Sequence, residues 1–229
     1  METKARRNIL AVRERSWKQV VFRWESLLLW LFLEVNIFNM RISPNDLDAS
    51  GLFTAISTFL PKGFIAFPMA YLLVLGEIDL SVGSTVALSA TLLGISYNSG
   101  LSMGAAILIA LGCGLVCGLL NGLILAKFTE LAPMIVTLGT MTLYRGISQM
   151  ILGSESSGGL HNCRWFYNIY YARLGPVPYV FLVFCLAAVA FGFVLHKTVF
   201  GRQVYAIGSN RTTALYSGVP VQRVRIICY

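Results

Sequence analysis

The sequence predicts an all-α, polytopic membrane protein of about six transmembrane helices, the front part of a larger bundle. Two observations carry that expectation. Hydrophobic residues fill 56% of the 229 positions and charged residues only 12%, with a mean hydropathy of +0.71. Such a chain has too little polar surface to clothe a soluble globule, so the bilayer must supply the missing apolar solvent. The formal charge of +8 is also unevenly placed. Of 18 Lys and Arg, seven lie at Lys4, Arg6, Arg7, Arg13, Arg15, Lys18 and Arg23, and five at Lys197, Arg202, Arg211, Arg223 and Arg225. Beside apolar runs, clusters of this kind mark loops on the cytoplasmic side rather than a nucleic-acid surface.

Taken in order, residues 1–23 form a basic N-terminal segment, and residues 24–195 form the membrane region. The first span, 25–38, is short for ~30 Å of hydrocarbon and carries Trp24 and Trp30 as candidate anchors. Its basic-then-apolar start imitates a secretory signal. Glu34 interrupts the run and no small-residue cleavage site follows, so an uncleaved span is expected. The second apolar region, 52–75, contains Pro61 and Lys62, which predict a kink or a break. Further spans follow at 82–97, 104–126, 133–152 and 177–195, with an aromatic polar loop at 154–175. Six crossings place residues 196–225 on the same side as the N-terminus, so the two basic clusters agree. Another apolar segment begins at 226–229, and the chain reads as the front of a longer domain. The five cysteines are scattered and His161 and His196 lie far from Cys113 and Cys117, so neither a disulfide framework nor a metal site is expected.

Between the second and third spans stands Gly76-Glu77-Ile78-Asp79-Leu80-Ser81-Val82-Gly83-Ser84. Asp79 or Ser81 is suited to cap the third span. The segment reads either as a plain helix start or as a broken element within the membrane, with Glu77, Asp79, Ser81 and Ser84 as its polar residues, where the carboxylates stabilise the fold or hydrogen-bond solute hydroxyls. In the fourth span Gly114, Gly118 and Gly122 recur every four residues, a stripe that lets helix backbones approach closely. Asn121 beside it packs against a neighbour or faces a conduit. The fifth span carries Thr137, Tyr144 and Arg145. Arg145 is costly in lipid, so it either snorkels to an interface or turns inward, with Glu77 and Asp79 as candidate partners. Within 196–225, Ser209 or Asn210 caps a short helix, Gly218 ends it and Pro220 prevents its continuation.

From Gly76 onward the chain resembles a family: the permeases of ATP-binding-cassette (ABC) importers for ribose, xylose, arabinose, rhamnose and autoinducer-2. Those permeases typically read GGIDLSVGS here, with glycine where this chain has Glu77. The resemblance continues through Gly118-Leu119-Leu120-Asn121-Gly122, Ile135-Val136-Thr137-Leu138-Gly139-Thr140, Tyr144-Arg145-Gly146, Phe200-Gly201-Arg202 and Ala206-Ile207-Gly208, in consistent order over almost the whole chain.

The resemblance implies a permease in a bacterial inner membrane, N-terminus cytoplasmic, that passes a sugar or sugar-like solute without covalent chemistry. It implies an ABC ATPase subunit, a second permease subunit, a periplasmic sugar-binding protein and membrane lipid as partners. The chain would bind no cofactor, since ATP would be used by the partner; no GxxxxGK[ST] loop occurs in the sequence. The loop holding Gly201, Arg202, Gly208, Asn210, Ala214 and Gly218 would dock into the ATPase. The competing class is a gradient-driven transporter or channel working through Glu77, Asp79 and Arg145. A membrane enzyme would need a convergent nucleophile, base or metal cluster, and the sequence offers none.

Overall fold

The structure is a computed structural model that describes residues 24–42, 49–153, 160–175 and 177–229. The elements are α1 (Trp24–Ile42), α2 (Ala49–Leu75), α3 (Val82–Asn98), α4 (Met103–Lys127), α5 (Pro133–Leu152), α6 (Arg164–Tyr171), a two-residue hairpin of β1 (Arg173–Leu174) and β2 (Val177–Pro178), α7 (Tyr179–Lys197), α8 (Val199–Ser209), α9 (Arg211–Tyr216) and α10 (Val221–Cys228). Helix α1 lies in a unit of its own, residues 1–52, and carries exposed Leu, Trp and Phe side chains along its length. The remainder, residues 53–229, forms the bundle.

Three stretches among the described residues are long and apolar enough to cross a bilayer by themselves: 56–75 in α2, all of α4 and all of α7. Their large side chains, such as Leu108, Leu111, Leu186 and Val189, point outward, as expected where lipid rather than water is the solvent. Helices α3 and α5 carry more hydroxyls and bury them instead. The buried face of α3 is Ser84, Leu88, Thr91 and Gly94, a helical spacing of mostly small residues, and Thr91 Oγ1 meets Ser148 Oγ of α5 at 2.7 Å. Lipid tails are as apolar as leucine, so close backbone approach and buried hydrogen bonds must hold these helices together.

Of the kink or break expected in the second span, the break does not occur. α2 runs uninterrupted through Pro61 and also through Pro68. Proline at position 61 cannot bond the carbonyl of Ser57, but that carbonyl accepts the Tyr170 hydroxyl from α6 at 3.4 Å. The helix is held further by rings along α7. Phe67 lies 4.9 Å from Phe184 and 5.5 Å from Phe191, Phe64 lies 5.4 Å from Phe184, and the Tyr71 hydroxyl donates to Phe191 O at 2.6 Å. Lys62 is exposed, with its ammonium 5.3 Å from the Phe59 ring centroid.

The ends of α2 and α7 meet the short helices in one core of Tyr71, Leu72, Leu75, Leu195, Val204, Ile207, Ala214, Val221, Val224 and Cys228. This core makes 196–225 a folded element rather than a loop. The segment expected to begin at 226–229 is the last turn of α10, which already starts at Val221 after Pro220. α10 lies on the glycine stripe of α4. A Cβ on Gly118 would stand 2.5 Å from Tyr229 O, and one on Gly122 would stand 3.1 Å from Ile226 Cα.

Gly118→Leu is therefore expected to cost about 2 kcal/mol or more, as overpacking against a backbone does. Leu119→Ala, on the exposed side of the same helix, should cost under about 1 kcal/mol. Thermal melts of the two variants in detergent check the difference, and equal melting points would remove the stripe from the packing account.

Candidate functional site

The site is built around the junction of α2 and α3. α2 stops because Gly76 adopts φ +84°, which lets Gly76 N–H donate to Leu73 O at 3.1 Å and Glu77 N–H donate to Leu72 O at 2.9 Å. These paired bonds satisfy the last carbonyls of the helix. Five residues later α3 begins, and the segment between carries two carboxylates into the protein.

Asp79 is buried, and its Oδ1 accepts both the N–H and the hydroxyl of Ser81, each at 2.7 Å. The expected cap thus takes another form. Ser81 occupies the N-cap position of α3 without bonding a backbone N–H of that helix, because its hydroxyl is spent on Asp79. Ser81 Oγ in turn accepts Asn121 Nδ2 of α4 at 2.7 Å. From α5, Tyr144 donates to Cys117 O at 3.1 Å and lies 3.5 Å from Asn121 Oδ1. Thr137, fully buried at the start of α5, accepts Leu80 N–H at 3.2 Å and donates to Pro133 O at 2.9 Å. Ser84 donates to Ser81 O at 2.7 Å. One connected set of side chains therefore ties the junction to α4 and α5. A cavity of about 120 Å³ reaches Asp79, Thr85 and Asn121 from the side of Pro68 and Tyr229.

Glu77 points the other way, into α10. Its Oε1 lies 2.6 Å from Arg225 Nε, with the side chains 11% and 2% exposed, and its Oε2 accepts the Tyr229 hydroxyl at 2.9 Å. The Nε–H is not aligned on the carboxylate, so the contact is one of charge with charge. Arg225 Nη1 also donates to Leu125 O in the last turn of α4, where the helix dipole favours a cation.

The structure brings together Glu77, Asp79, Ser81, Ser84, Asn121, Thr137 and Tyr144 at one end of α3. It leaves out Arg145. The inward face of α5 is set by Thr137, Tyr144 and Ser148, and Arg145, one residue on from Tyr144, turns about 100° away and is exposed. The partner of Glu77 is Arg225 instead. Gly118 and Gly122 face α10, while Gly114 faces Ser89 Oγ at 3.6 Å.

Among the residues expected to couple, Gly201 and Gly208 are close-approach positions. A Cβ on Gly201 would clash with Leu195 O, and one on Gly208 with Val74 O, so α8 lies directly on the ends of α7 and α2. Arg202 is exposed. Asn210 caps α9, with Oδ1 accepting Thr213 N–H at 2.9 Å, and Gly218 ends it at φ +80°. Ala214 is a correction: it is buried against the bundle, so it is no part of an outward surface. The outward side of α9 is Leu215 and Tyr216, the latter 86% exposed. They border a groove of about 260 Å³ shared with Thr129 of the α4–α5 loop, Arg211, Thr212 and Gln222.

Sequence reasoning missed Arg225 and Tyr229. A signal was present, since Val221, Val224, Arg225 and Cys228 share one helical face, and a cation in an apolar stripe needs a buried partner.

A family model described as "Branched-chain amino acid transport system / permease component" matches residues 51–229. The autoinducer 2 import system permease protein LsrD of Escherichia coli strain K12 is 36% identical over 219 residues. The LsrD proteins of Escherichia coli O9:H4 strain HS and of Shigella flexneri give the same identity. The match covers 92% of this chain and 65% of each relative, so the chain spans somewhat less than two thirds of their length. No solved structure matches the chain.

Asp79→Ala should cost about 2–3 kcal/mol, because two donors of Ser81 lose a buried acceptor together. Asp79→Asn keeps an oxygen at Oδ1 and should cost less than half of that. Detergent melts of both variants check the order; equal losses would mean that the charge, not the acceptor, holds the junction.

Proposed function

This chain belongs to the branched-chain amino acid transport system / permease component family, and on that premise we propose that it is the permease subunit of an ATP-driven importer for a sugar-like solute. The observation that carries the proposal is the outward side of α9. A short helix with a side-chain cap at Asn210 and a glycine stop at Gly218 stands on a core shared with the ends of α2 and α7, and presents Leu215 and Tyr216 to a partner. A compact body of that kind passes rigid motion into the spans. The named relatives import autoinducer 2, and 36% identity over 92% of this chain supports the same broad solute class.

The α8–α10 side faces the cytoplasm of a bacterial inner membrane, with the N-terminus on that side and residues 154–175 opposite. A separate ATPase subunit docks at α9, a second permease subunit completes the passage, and a periplasmic binding protein delivers the solute. ATP is bound and hydrolysed by the ATPase, and this chain binds no cofactor. Nucleotide acts by favouring one of two states of the permease over the other. Glu77, Asp79 and their partners keep the spans in register at the coupling end. A gradient-driven transporter would work through Glu77, Asp79 and Arg145, and here Arg145 is exposed while Glu77 pairs with Arg225.

Replacing Leu215 and Tyr216 together by Ala should leave the protein inserted and thermally unchanged within about 0.5 kcal/mol, as exposed positions allow. Recovery of the ATPase in pull-downs and solute uptake should both be lost. Ala214→Trp, by contrast, should lower the melting point. Uptake that persists in cells lacking the ATPase would overturn the importer reading.

A further inference from the structure

Helix α6, Arg164–Tyr171, has no part in the site or in coupling. Its sequence, RWFYNIYY, holds five aromatic residues in eight. At 100° per residue, Trp165, Phe166 and Ile169 share one side, and Arg164, Tyr167, Asn168 and Tyr171 share the other. Phe166 is half-buried and Tyr170 reaches Ser57 of α2, which fixes the helix on the bundle. Trp165 and Ile169 remain 52% and 57% exposed. An apolar ridge of this size needs an occupant.

Depth along the bundle identifies that occupant. Lys127 and Lys197 close α4 and α7 at the end where Leu75 and Leu195 share a core, which marks one bilayer boundary. From Leu75 back to Ser57, α2 rises about 27 Å at roughly 1.5 Å per residue. α7, of 19 residues, rises about 28 Å to Tyr179, just after the hairpin that follows α6. Both values approach the ~30 Å thickness of the hydrocarbon layer. The two attachments of α6 therefore sit where acyl chains give way to headgroups. The charge fits as well: residues 160–178 contain Arg164 and Arg173 and no Asp or Glu, which suits lipid phosphates.

We propose that α6 is an interfacial helix that seats Trp165 and Ile169 in the headgroup–acyl boundary of the leaflet opposite α8–α10, with Arg164 at the phosphates of phospholipids. Its tyrosines place their rings and hydroxyls at the headgroup level, as aromatic belts do. The helix thereby fixes the depth of the α2–α7 pair, because its tyrosine bonds the carbonyl that Pro61 leaves open.

The test uses the tryptophan itself. In a variant with Trp17, Trp24 and Trp30 replaced by Phe, Trp165 is the only indole, and the protein is reconstituted in phosphatidylcholine–phosphatidylglycerol vesicles. Lipids brominated near the glycerol end should quench its fluorescence at least about twofold more than lipids brominated near the chain ends, given a seat of roughly 5–10 Å. Aqueous iodide should quench it weakly. Strong iodide quenching with no effect of either bromolipid overturns the proposal, and so does quenching strongest from the chain ends. If that variant does not fold, the unmodified chain is irradiated with a photoactivatable phospholipid carrying its probe near the headgroup. Label on Trp165 or Ile169 supports the seat, and label confined to the spans overturns it.

Discussion

A buried ion pair, Glu77 with Arg225, ties the α2–α3 junction to α10. Glu77 is the first residue beyond the glycine that stops α2, and Arg225 lies on the inner face of α10. Between them lie α3, α4, α5, α6, the hairpin, α7, α8 and α9. Neither charge is tolerable alone at that depth, so each fixes the place of the other. Their geometry explains why the stripe on α4 must be glycine. Arg225 reaches both Glu77 and Leu125 O only if α10 lies directly on the α4 backbone at Gly118 and Gly122. A side chain there would lift the cation away from its acceptors.

The second constraint is the solvent. In a bilayer, burial of leucine against leucine gains little, and the bundle relies on contacts that lipid cannot imitate. Asp79, Ser81, Asn121 and Thr137 give α3, α4 and α5 hydrogen bonds that acyl chains do not offer. α2 and α7 use offset and edge-on rings instead, along Phe64, Phe67 and Tyr71. The polar set is satisfied within itself, so its primary consequence is registry. The same registry holds the start of α3 level with the ends of α2 and α4, and the short helices pack on the ends of α2 and α7 in one core.

Much of this was legible in the sequence, for physical reasons. Apolar runs of span length, the Gly76 stop, the Asn210 cap and the glycine stripe are local or periodic signals, and each corresponds to the element observed. The polar residues Glu77, Asp79, Asn121, Thr137 and Tyr144 stand out because lipid makes them costly; Asp79, Asn121, Thr137 and Tyr144 gather at the start of α3, while Glu77 turns to α10. What was not legible depends on tertiary pairing. Pro61 predicts a kink or a break, and the sequence does not show that Tyr170 bonds the carbonyl left open. Arg145 is a candidate partner of the carboxylates by sequence, but Tyr144 and Ser148 set the inward face of α5 and turn it away. Arg225 sits in a basic cluster in which Lys197, Arg202 and Arg223 are exposed, and Ala214 lies on a helix too short for its spacing to reveal a buried side.

The account stands on Glu77 and Arg225 acting as a pair, and a double-mutant cycle measures that directly. Glu77→Gln, Arg225→Met and the combination are compared with the parent chain by thermal unfolding in detergent, on protein that is monodisperse before heating. Each single change leaves one buried charge without its partner and should cost about 3–5 kcal/mol, while the double change should recover most of that loss. A coupling energy of about 2 kcal/mol or more is the predicted result. Additive losses, with no recovery in the double variant, would contradict the pair as the tie between α10 and the α2–α3 junction.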